Sequence, residues 1–74
     1  MSDMLLQALQ KKLEGDVAVA KANISVYKNH SVGIGEHPDI VQAIEAEVAV
    51  AAEAQDKLNM VNTILQDELE LLLD

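Results

Sequence analysis

His30, Glu36, His37 and Asp39 fall close together in the stretch NHSVGIGEHPDI, residues 29–40. Two imidazoles and two carboxylates are nitrogen and oxygen donors of the kind that bind zinc or another divalent ion. Built zinc sites, however, take their ligands at fixed helical or knuckle spacings. Here glycines and a proline interrupt any regular element, so a metal site using the loop histidines His30 and His37 is a weak alternative. Ser25 and Ser31 lie near His30 in the chain, but a nucleophilic serine needs a supporting acid and an oxyanion hole, and the sequence offers neither. The string GIGEHP starts like a dinucleotide-binding turn, yet Pro38 stands where the final glycine belongs. No strand precedes it, and Glu36 would repel a phosphate. These residues therefore predict no enzyme, no catalytic residue, no cofactor-binding residue and no resident metal or cofactor.

The same stretch reads better as a bend. Gly33 and Gly35 permit backbone angles barred to other residues, and Pro38 suits the first position of a helix. Gly33, Gly35 and Pro38 are the expected turn-forming residues, with Val32 and Ile34 folding back over the open end of whatever the bend joins.

On either side of it the apolar spacing is helical. In the first arm Leu6, Leu9, Leu13, Val17, Ala20, Ile24 and Tyr27 recur at steps of three and four, which places them on one helix face. Ser2 or Asp3 can cap its start. The segment VAVAKANISVY alternates in places, as a strand would, but its alanines and the stripe continuing from Leu6 favour helix. Gly15 interrupts the arm and marks either close approach of a neighbouring helix or a local irregularity. In the second arm Val41, Ile44, Val48, Ala51, Gln55, Leu58, Asn62, Leu65, Leu69 and Leu72 keep a heptad pattern, the signature of a coiled coil. Gln55 and Asn62 on that stripe could fix register or oligomer number.

The expected fold is all-α: a single antiparallel two-helix hairpin over residues 1–74. Helix 1 covers about residues 3–28, the loop about 29–37, and helix 2 about 38–73. Pairing Ile24 with Ile44, Ala20 with Val48 and Val17 with Ala51 predicts that opposed residue numbers sum to about 68. That register sets Lys28 opposite Asp39, Lys21 opposite Glu47, and Lys11 and Lys12 near Asp56. It leaves the ending DELELLLD without a partner in its own chain.

Composition narrows the function. A chain of 74 residues with no cysteine buries little core alone and cannot use disulfides. Packing against other copies is the remaining source of stability, so a four-helix bundle dimer or a larger helical oligomer is expected. Thirteen acids against five lysines give a net charge of −8, which disfavours nucleic acid and anionic membrane surfaces. No apolar run approaches the roughly 20 residues of a membrane span, and the start shows no secretory signal. A cytoplasmic location, in a host cell if the protein is viral, follows as an expectation. The unpartnered leucines predict a contact surface at Leu65, Leu69, Leu72 and Leu73. A dimeric nucleic-acid regulator using Lys11, Lys21 and Lys28 is a further alternative, opposed by the acids of the second arm.

The segments NISVY (residues 23–27), VGIGEHPDI (residues 32–40) and the acidic, alanine-rich run of residues 43–58 resemble small helical proteins of marine tailed phages, the cyanophages in particular. The resemblance covers about half of the chain. It implies a viral or virus-associated origin and supplies no activity or functional residue. The expected role is a non-enzymatic structural or regulatory protein–protein interaction module, such as a small phage accessory protein. Its partners would be other copies of itself, a dimer being favoured, and a host or virion protein.

Overall fold

The computed structural model describes residues 3–29 and 39–73. Two helices account for nearly all of them: α1 (Asp3–Asn29) and α2 (Ile40–Leu73), packed against each other along their length. The fold is thus an all-α hairpin, with no strand among the described residues. The expected turn formers Gly33, Gly35 and Pro38 lie outside the described residues, as do His30, Glu36 and His37.

The segment that alternates like a strand is helical throughout. Val17 and Ala20 are buried there, and Ile24 and Tyr27 are half-buried on the same side, so tertiary packing and alanine's helix propensity agree. Lys28 lies in the last turn of α1, where a positive charge complements the helix dipole. At the start of α2 the carbonyl of Asp39 accepts a hydrogen bond from the Ala43 N–H at 2.9 Å. Asp39 is therefore the N-cap, and its carboxylate sits at the positive end of the helix.

α1 runs through Gly15 without a break, and nothing lies within 4 Å of where a Cβ on Gly15 would sit. Its own partner helix does not require the glycine. Gly15→Ala should therefore stabilise the hairpin by about 0.5–1 kcal/mol, the helix-propensity difference, measurable by urea titration monitored by circular dichroism.

The core is thin. Leu13 and Val17 of α1 meet Ala54, Leu58 and Val61 of α2, Leu65 packs against the edge of this cluster, and Ala20 is buried as well. On α1 the buried stripe follows the sequence pattern, except that Leu9 is exposed and Gln10 is half-buried in its place. On α2 the stripe is turned. Ile44, Ala51, Leu58 and Leu65 face inward as expected, but Val48, Gln55, Asn62 and Leu69 are exposed. Glu47, Ala54, Val61 and Glu68 take their places, about 100° around the helix.

The register moves with it. The Gln10 amide donates to Asn62 Oδ1 at 2.8 Å and the Asn23 amide to Glu47 Oε2 at 3.3 Å. Opposed numbers therefore sum to about 71, not 68, a slide of roughly 4.5 Å along the axis. The cause is the core. A sum of 68 would press Leu13 against Gln55, whereas 71 sets Leu13 against Leu58, Val17 against Ala54 and Leu6 against Leu65. A buried leucine gains about 1.5–3 kcal/mol, and a buried amide without a partner costs about 1–3 kcal/mol. Both terms select the observed register.

The expected cross-helix charge pairs do not form. Among the described residues the ion pairs run within each helix: Lys11–Glu14 at 3.5 Å, Lys12–Asp16 at 2.7 Å and Lys57–Glu53 at 3.1 Å. All are solvent-exposed, so each contributes little.

The hairpin measures 59 × 15 × 15 Å. It exposes 5702 Å², against about 4,450 Å² for a compact monomer of its 8.0 kDa mass.

Candidate interaction surface

The end of α2 carries the leucines that the sequence singles out. Leu69 is about half exposed, and Leu71, Leu72 and Leu73 are 74%, 79% and 77% exposed. Leu65 is different, because it is half-buried against the core. Leu65, Leu69 and Leu72 line one shallow groove of about 330 Å³ with Asp3, Gln7, Gln10 and Lys11. Leu73 is not part of that groove. With the register at 71, Glu68 lies level with Asp3, so the part of DELELLLD that passes the described residues of α1 begins after Glu68. No basic residue occupies the last turn of α2, and Glu70 there faces the negative end of the helix dipole.

Asp3, which lines the groove, neighbours Glu68. Glu68 Oε2 is enclosed and has no hydrogen-bond partner among the described residues. The neighbouring Asp3 carboxylate is itself an acceptor. The two acids share a hydrogen bond only if one carries a proton, and this raises the Glu68 carboxyl above its usual value of 4.5. Desolvation and the Asp3 charge act in the same direction. The folded chain thus holds this proton more tightly than the unfolded chain does. Its stability rises as pH falls through the raised value toward 4.5 and is lost as pH climbs. The thermal midpoint should be higher near pH 5 than near pH 7. Glu68→Gln should raise the midpoint at neutral pH and flatten the difference.

A second surface runs along the side of the hairpin, where sequence reasoning placed no site. Leu9, Lys12, Asp16, Val19 and Asn23 of α1 and Val50, Glu53 and Lys57 of α2 line an open groove of about 410 Å³, with Leu13, Ala20, Glu47 and Ala54 at its floor and edge. The exposed Leu5, Val26, Met60 and Ile64 extend the same stripes on the two helices. The signal was present in the sequence: positions 5, 9, 12, 16, 19, 23 and 26 keep steps of four and three, offset from the buried stripe. Lysine, aspartate and asparagine at three of those positions conceal the pattern from an apolar count.

No family model, no curated protein and no solved structure matches this chain. Its surfaces have to be interpreted from their own chemistry.

Of the three lysines considered for nucleic acid, Lys11 is paired with Glu14, while Lys21 and Lys28 are exposed and form no ion pair among the described residues. No group of three or more His, Cys, Asp or Glu is placed to hold a metal among the described residues. None of the described helices is long and apolar enough to cross a membrane.

Proposed function

We propose that this protein is a non-enzymatic helical interaction module that works by apolar contact with other chains, its own copies included. The observation that carries this reading is the bare terminal turn of α2, with Leu71, Leu72 and Leu73 each about three-quarters exposed. Covering a leucine gains about 1.5–3 kcal/mol, and a helical chain end of this kind fits an apolar groove on a partner. The charge of −8 steers the module toward basic partner surfaces and away from polyanions. A host or virion protein is such a partner under the phage resemblance, with the module acting as a small accessory factor.

The test is light scattering across a wide concentration range on the native chain and on a Leu69→Ser/Leu72→Ser/Leu73→Ser variant. The native chain should gain mass with concentration, and the variant should lose that growth while keeping its helical circular-dichroism signal. Equal mass for both at every concentration would overturn the leucine end as a contact surface.

A further inference from the structure

The terminal leucines form a strip with acid on both margins. At about 100° per residue, Leu65, Leu69, Leu72 and Leu73 fall within an arc of roughly 100° around α2. Glu68 lies about 40° beyond Leu72 on one side, and Glu70 about 60° beyond Leu73 on the other. Asp3 of α1 neighbours Glu68 and lines the groove that Leu65, Leu69 and Leu72 share. Leu71 falls on the far side of the helix, between Asp67 and Glu68. Whatever covers the strip therefore meets a carboxylate at each edge.

The surroundings do not offset that charge. Residues 3–11 and 61–73 make up this end of the hairpin. They hold Asp3, Asp67, Glu68 and Glu70 against Lys11 alone, a net of −3. Lys11 is already paired with Glu14. At a register of about 71 it sits level with Met60, about 15 Å along the axis from Glu70. With no basic residue in the last turn of α2, the carbonyl end of the helix adds roughly half a negative charge beside the leucines. Two such ends carry like net charge, so a second copy covers the strip against repulsion. A cationic chain covers it with attraction.

We infer that, given the leucine end as a contact surface, the strip of Leu65, Leu69, Leu72 and Leu73 is the docking site for a basic amphipathic helix of another protein. The apolar face of that helix lies on the leucines, its own apolar side chains spaced at three and four residues. Lysines or arginines on its flanks meet Glu68 and Asp3 at one margin and Glu70 at the other. Self-association through the same leucines is the weaker use of the strip, reached at high concentration.

Fluorescence anisotropy with two labelled synthetic helices of four turns tests this. Both carry leucines along one face; the remaining positions are lysine in the first and glutamate in the second. The native chain should bind the lysine helix at least about 10-fold more tightly than the glutamate helix. Leu69→Ser/Leu72→Ser/Leu73→Ser should weaken binding of the lysine helix at least about 10-fold, and so should Asp3→Asn/Glu68→Gln/Glu70→Gln. Glu45→Gln/Asp56→Asn removes two exposed acids away from this end and should change it by less than about 2-fold. Glu68→Lys/Glu70→Lys should bind the glutamate helix at least about 5-fold more tightly than the native chain does, a gain that misfolding cannot imitate. The proposal is overturned if the serine variant keeps its grip on the lysine helix, or if the Glu45/Asp56 variant loses as much as the variant of the margins. It is overturned equally if the lysine helix fails to displace self-association in light scattering, which would make a second copy the occupant. If the native chain binds both helices alike while the serine variant binds neither, the leucine end stands as a contact surface and the basic partner falls.

Discussion

Leu58→Ala should lower the stability of the chain by about 2–5 kcal/mol, a large share of the total. Leu58 sits at the centre of the core, with Leu13 opposite and Ala54 and Val61 beside it. Removing a buried leucine side chain costs about 2–5 kcal/mol, through lost transfer energy and the cavity left behind. A chain of 74 residues has a total stability of only about 4–11 kcal/mol, and this one has six buried core residues among those described from which to draw it. Gln55→Ala is the matching control. Gln55 lies on the stripe that the apolar pattern of the second arm predicts, yet it is exposed, so its loss should change stability by less than about 0.5 kcal/mol. Urea titrations of the two variants by circular dichroism decide the matter. A loss at Gln55 comparable to that at Leu58 would mean that the seam lies where the sequence pattern placed it.

The second large effect is expected at Ala20, the most enclosed residue of the core at 1% exposed. Ala20→Leu inserts three heavy atoms at a position with almost no accessible surface. The helices must either separate along the alanine-rich half or hold strained rotamers, at a cost of about 1–3 kcal/mol. Ala18→Leu, two residues earlier and exposed, should be close to neutral. The thermal midpoints of the two variants should differ clearly, with Ala20→Leu the lower. Equal midpoints would show that the alanines serve helix propensity alone.

These two contrasts also mark what could be seen from the residues. Helical arms follow from local chemistry. Leucine and alanine dominate them, and apolar residues recur every three or four positions. Asp39 at the start of α2 and Lys28 at the end of α1 obey the dipole rule, which depends only on near neighbours. On α1 the stripe predicted the buried face apart from Leu9, because its other side holds lysines and acids.

On α2 the pattern was ambiguous. Val48 and Glu47, Gln55 and Ala54, Asn62 and Val61 are adjacent pairs, and the apolar or polar character of each pair changes along the helix. A count of apolar positions could not choose between stripes that share Ile44, Ala51, Leu58 and Leu65. Charge gave a misleading cue as well. The opposed lysines and acids suited a sum of 68, but exposed pairs contribute a few tenths of a kcal/mol and formed within each helix instead.

By itself, then, the amino-acid sequence determined that two helices form, that they fold back on each other, and that the core they share is too thin to hide all their leucines and valines. Propensity, spacing and composition are local or additive, so they can be read along the chain. Only the tertiary structure decided which side of α2 faces α1, the slide of one helix past the other, and hence which apolar residues stay outside. Those depend on opposing Leu13 with Leu58 rather than Gln55, a difference between two complete packings that no single helix contains.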